Sequence, residues 1–109
     1  MRDACAQGGV APEAVGYVNA HGTGTPLNDA AEAIAINHWA GPRAASLPVS
    51  STKGSIGHLL GAAGAVEVVV CLMVLREQWL PPEPFVETVD PLCTFDLVRQ
   101  PRDARVEIA

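Results

Sequence analysis

Between Leu59 and Leu75 the chain runs for 17 residues with a single charge, Glu67, near the centre. Small residues open the run as "GAAGA" (Gly61 to Ala65), and valine, leucine and methionine fill most of the rest. This predicts one long helix over about residues 57–78, apolar on nearly every side. A bilayer span needs roughly 20 apolar residues, so the expectation is a buried core helix. A helix apolar all round must be covered from several directions. In a chain of 109 residues, one domain or part of one, that demand governs everything else. The composition agrees: 49% of residues are apolar and 17% charged, against about 25% charged in an ordinary globular domain. Such a chain suits elements packed on both sides within something larger.

The remaining elements follow from their punctuation. A helix over residues 2–7 ends at Gly8 and Gly9, and "APEA" reads as a turn. "VGYVNA" is a short, buried strand. Pro26 at the first helical position, with Asp29 and Glu32 after it, predicts a helix over 26–39 that Gly41 and Pro42 stop. "SLPVSST" is a second buried strand. "LPPEPFVETVDP" is a proline-rich loop, and "ARVEIA" begins a third strand. Strand-helix-strand-helix-strand with apolar strands predicts an α/β fold with a mainly parallel sheet. Both ends read as cut: Met1 falls inside a helix, and the last strand has no partner or cap behind it.

Several function classes drop out. A net charge of −5 without a Lys/Arg cluster argues against nucleic acid. The first residues, "MRDACAQGGVAPE", have no signal-peptide apolar run, and Cys5, Cys71 and Cys93 show no CxxC spacing. A cytoplasmic, membrane-free protein is expected. No metal-ligand spacing is present. "GTGTP" lacks the lysine of a phosphate loop and the third glycine of a dinucleotide turn. "GAAGA" reads as close helix packing, and His38 as a solvated residue on a polar helix face.

Chemistry concentrates in two stretches, "GYVNAHGTGTPLNDAAEA" (16–33) and "VSSTKGSIGHLLGAAGAVE" (49–67). Each follows a strand with a histidine, His21 or His58, among glycines and hydroxyls. Lys53 is the only lysine of the chain. A lone Glu67 in an apolar helix costs several kcal/mol if buried unpaired, by order of magnitude. Lys53 is its natural partner, so a Lys53–Glu67 ion pair near His58 is expected. The positive end of the predicted helix and the neighbouring Lys53 should keep His58 neutral. His21 lies at the carboxyl end of a strand, where open α/β sheets place their ligands. Two neutral imidazoles converging there can hold an oxygen that gains charge during reaction.

Together, "NAHGTGTPLNDAAEA" and "SSTKGSIGHLLGAAGAVE" closely resemble the C-terminal half of the β-ketoacyl-(acyl-carrier-protein) synthases, the condensing enzymes of fatty-acid and polyketide synthesis. The resemblance covers about residues 1–100. It implies the C-terminal βαβαβ half of a thiolase-like fold, a five-layered αβαβα sandwich when complete. Residues 1–109 are then an incomplete ketosynthase C-terminal domain, lacking the N-terminal half. By the same resemblance His21 and His58 are the catalytic histidines that bind the malonyl thioester carbonyl and assist its decarboxylation. Lys53 is the active-site lysine and Glu67 the acid linked to it. Thr23 and Thr25 hydrogen-bond the phosphopantetheine arm of acyl carrier protein. That protein is the implied partner, the complete enzyme is a homodimer, and the chain binds no cofactor of its own.

The family's nucleophile, a cysteine of the other half, has no counterpart. Cys5 lies in the helix before the first strand, Cys71 reads as an inert buried thiol in a helix, and Cys93 sits in the proline-rich region. The family's glycine- and phenylalanine-rich loop is also absent. Without a nucleophile the chain by itself is expected to be inactive, and poorly folded because its long apolar helix and strands lack their covering layers. Two alternatives stand beside a condensing enzyme: a non-catalytic partner subunit of the chain-length-factor type, and another thiolase-fold acyltransferase. Retention of both histidines and Lys53 favours the enzyme over the first. The "KGSIGH" spacing and "HGTGTP" favour it over the second.

Overall fold

The computed structural model describes residues 1–109. Three strands form a parallel sheet in the order β1 (Val18–Asn19), β2 (Pro48–Ser50), β4 (Asp96–Leu97). Val18 sits opposite Val49 and Asn19 opposite Ser50, while Val49 pairs on its other side with Leu97. The strands are short, so single residues decide which face each side chain takes. Ala20, Leu47 and Val49 turn to one face, where Ile36 and Ala40 of α2 (Pro26–Ala40) cover them. Tyr17 and Val98 turn to the other, against Val74 of α4 (Ala63–Glu77). This is the alternation of side chains along a strand with period two. It yields a layered α/β unit, as the sequence predicts.

Helix α2 begins and ends close to the expected limits. Thr25 precedes it in extended conformation, Pro26 opens it, and Gly41 closes it at φ 59°. Helix α1 (Arg2–Gly8) likewise ends at Gly9 in the left-handed region. His38 is exposed, and Arg2 Nη2 donates to its Nε2 at 3.0 Å.

Two expectations fail. In place of the single helix over 57–78 stand an irregular segment at 57–59, a 3-10 turn at Leu60–Ala62 and α4, with a four-residue helix, α3 (Lys53–Ile56), before them. Gly57 at φ 76° and Leu60 at φ 50° break the hydrogen-bond ladder between them. A leucine in that region is strained, and such strain persists only where surrounding structure imposes it. The third parallel strand is not "ARVEIA" but β4, at Asp96–Leu97. The backbone of Val106 is engaged by a side chain: Gln78 Oε1 accepts from Val106 N at 2.9 Å and Gln78 Nε2 donates to its carbonyl at 2.8 Å. Just before it, β5 (Arg102–Asp103) pairs antiparallel with β3 (Trp79–Leu80).

The apolar run is not enclosed by this chain. Only Ala63 and Val74 of α4 are buried, while Val68, Val69, Leu72 and Met73 are each more than half exposed. The sheet covers one side of the helix, and nothing else in the 109 residues reaches the opposite side. Within these 109 residues the helix is half-covered. No helix is long and apolar enough to cross a membrane.

Beneath the sheet a buried polar chain links three segments. Ser50 Oγ donates its one proton to the carbonyl of Pro81 at 2.7 Å, so the Tyr17 hydroxyl donates to Ser50 Oγ at 2.8 Å. Burial pushes the Tyr17 phenol up to about 12 from 10.0. Above pH 10 the unfolded chain loses this proton first, so the fold loses stability as pH rises through that window. Tyr17→Phe is therefore expected to flatten the alkaline limb of a urea-midpoint-versus-pH curve for the intact protein. Near neutrality the same change costs about 1 kcal/mol for the lost bond.

Candidate active site

The two histidine-bearing turns meet. The imidazoles of His21 and His58 stand edge-on, with centroids 5.4 Å apart and planes at 90°. Parallel pairing of β1 with β2 makes this meeting possible, because both turns then leave the same end of the sheet. His21 follows β1 by two residues. His58 lies in the irregular segment between α3 and the 3-10 turn, not at a helix start.

That displacement changes what orients His58. The helix expected to hold it begins five residues later, at Ala63. Its orienting contact is instead the backbone N–H of Leu60, which donates to Nδ1 at 3.1 Å. A ring nitrogen that accepts a hydrogen bond carries no proton, so in the neutral ring the proton rests on Nε2. The strained leucine thus aims the N–H that fixes the tautomer.

The turn bearing His21 is held by a carboxylate whose place in the sequence suggests only an interaction with the helix dipole. Glu32 of α2 reaches back, with Oε1 accepting the N–H of His21 at 2.7 Å and Oε2 that of Gly22 at 2.8 Å. Asn28 Nδ2 donates to the same Oε2 at 3.4 Å. Gly22 stands at φ 42°, and a Cβ there would lie 2.4 Å from Ser51 Cβ. Any side chain at this position would force the two turns apart. A glutamate inside the second helical turn, behind a glycine-rich loop, was the signal available in the sequence.

Lys53 and Glu67 form the expected ion pair. The lysine side chain is 5% exposed and the glutamate 22%, so the pair is largely withdrawn from water. Thr23 and Thr25 hydroxyls bond one another at 2.9 Å on the exposed side of the His21 turn. Thr23, Thr25, Lys53 and His58 line one open cavity of about 680 Å³. Cys93 lines it too, but burial first, then Asp90 and Asp29, pushes its thiol above the usual range. Cys71 is half-buried in α4, and burial followed by Glu67 raises its thiol likewise. A raised thiol holds little thiolate, so neither is poised as a nucleophile.

The arrangement can do one thing well. Two imidazoles meeting at the end of a sheet, one with its Nδ1 occupied by a backbone donor, can supply ring N–H groups to an oxygen that gains negative charge.

Comparison with known proteins gives a consistent picture. The family described as "Beta-ketoacyl synthase, C-terminal domain" matches residues 1–87. The 3-oxoacyl-[acyl-carrier-protein] synthase 2 of Coxiella burnetii is 46% identical over 105 residues, covering 96% of this chain and 25% of that protein. A putative polyketide beta-ketoacyl synthase 1 of Streptomyces cyaneus is 48% identical over 96 residues, 88% of this chain and 22% of that protein. Among solved structures, AntDE:AntF is a type II polyketide-synthase acyl-carrier protein in complex with its ketosynthase bound to the hexaketide. It superposes with a TM-score of 0.91 at 32% identity, over 96% of this chain and 26% of that one. The chain spans about a quarter of the length of the curated relatives it matches.

Proposed function

This chain belongs to the β-ketoacyl synthase family, by its C-terminal domain, and on that premise we propose that it supplies the histidine-bearing half of a condensing active site. The proposed reaction is a decarboxylative Claisen condensation, with malonyl thioester on acyl carrier protein as donor. His21 and His58 donate N–H bonds to the thioester oxygen. The bond from Cα to the carboxylate breaks, CO2 leaves, and its electron pair passes into an enolate whose charge rests on that oxygen. Cα then attacks the carbonyl of a second, protein-bound acyl thioester. A carbon–carbon bond forms and a thiolate leaves. In this reading the acyl group is carried by a cysteine of the family's other half; the raised thiols of Cys71 and Cys93, and the place of Cys5 on α1, support it.

The observation that carries this reading is the edge-on meeting of His21 and His58 at 5.4 Å, with His58 Nδ1 occupied by Leu60 N–H. In this reading Thr23 and Thr25, which line the same cavity, bind the phosphopantetheine arm, which enters as part of the substrate. The paired Lys53 and Glu67 back the site. Acyl carrier protein as partner, a homodimeric complete enzyme and a cytoplasmic setting belong to the same reading through the family resemblance. A non-catalytic partner subunit has no use for two converging histidines and a paired lysine.

The intact protein, given malonyl and acyl carrier proteins, is expected to release CO2 and yield a β-ketoacyl carrier protein, both read by mass spectrometry. Neither product forming, with the intact protein folded, would overturn the reading.

A further inference from the structure

The proline-rich segment after β3 carries a half-buried carboxylate, Glu83, that the proposed reaction leaves unused. It sits on the wall of the same cavity as Lys53 and His58. Its Oε2 accepts the backbone N–H of Ser51 at 2.7 Å. Ser51 is 1% exposed and stands between the two turns of the site. Its hydroxyl donates to the carbonyl of Gly22, next to His21, at 3.3 Å. The same oxygen accepts the N–H of Lys53, the first residue of α3, at 3.2 Å. One serine therefore ties the His21 turn to the helix that leads into His58, and Glu83 holds that serine by its backbone. The segment also presses on α3 directly. A Cβ on Gly54 would lie 2.8 Å from Pro84 Cγ and 3.2 Å from Glu83 Oε1.

We propose that Glu83 is a positioning residue for the two histidines, acting through Ser51 on the turns that carry them. The role rests on the reading of His21 and His58 as the reacting pair. It belongs to the acceptor oxygen rather than to the charge. Burial raises the Glu83 carboxyl above the usual carboxylate range, and the Ser51 bond only partly opposes this. A protonated carboxyl still offers one oxygen to Ser51 N–H, and so does a glutamine.

The test uses the intact protein labelled with 13C-histidine. Glu83→Ala is expected to shift the ring signals of both His21 and His58 and leave exposed His38 unmoved. It should lower kcat for malonyl decarboxylation roughly ten- to hundredfold with KM unchanged, the scale of a misplaced reacting group. Glu83→Gln is expected to restore both signals and rate. Unmoved ring signals in Glu83→Ala would overturn the proposal, and so would a Glu83→Gln variant as defective as the alanine. Should Glu83→Ala not fold, Ser51→Ala removes only the bridge to Gly22 and Lys53, and unmoved ring signals there overturn it equally. If the wild type proves folded but inactive, the proposed reaction falls while the ring signals still decide the part played by Glu83.

Discussion

Glu67→Ala is expected to destabilise the intact protein by about 3 kcal/mol, read from the urea midpoint. That is the low end of the range for breaking a buried pair, because Glu67 keeps some contact with water while Lys53 does not. The cost comes from stranding the ammonium of Lys53, at 5% side-chain exposure, without a counter-charge. Lys53→Met should cost less, since the carboxylate it strands is the more exposed of the two. Combining Lys53→Met with Glu67→Leu removes both charges and keeps the volume, so the double variant should be more stable than Glu67→Ala. Activity need not follow: if Lys53 serves the reaction, the double variant will be stable and inactive. A Glu67→Ala variant with wild-type stability would show that the pair is open to solvent and contributes little.

His21→Ala and His58→Ala should each reduce malonyl decarboxylation by about 10²–10³-fold, the measured scale for removing one donor to a developing oxyanion. Both rings are exposed, so the melting temperature should hardly change. The two losses are not expected to add. Once one donor is gone the oxygen is no longer held where the second can reach it, and the double variant should fall little below the worse single one. Additive losses would mean that the rings act on different atoms or in different steps. Acylation of the protein by the acyl donor should survive both changes, which separates a donor role from general damage to the site.

Both effects act on groups whose partners were read from the sequence to different depths. The Lys53–Glu67 pair was legible because the chain holds one lysine and its apolar run one charge, and a carboxylate drawn out of water favours a nearby cation. The limits of α2 were legible because Pro26, Gly41 and Pro42 act within a turn of themselves. The break at Gly57 and Leu60 was not. Composition alone favours continuing a helix through "GHLLGAAGAV", whereas the strained turn is accompanied by a bond from Leu60 N–H to the side chain of His58 that composition does not show. The backbone of Val106 was equally hidden, since it bonds to the side chain of Gln78, far away along the chain.

The sequence by itself determined the layered α/β pattern, the stop of α1, the limits of α2, the two histidine turns and the identity of the buried ion pair. These are set by short-range sterics, side-chain period and charge scarcity, which act between neighbours or admit a single solution. Only the tertiary structure decided that His21 and His58 stand edge-on, that Glu32 bonds the turn bearing His21, and that Glu83 bonds the backbone of Ser51. Those outcomes depend on the register of β1 against β2 and on which surfaces exclude water. Register and burial are properties of all the packed elements together, and no local stretch of residues carries them.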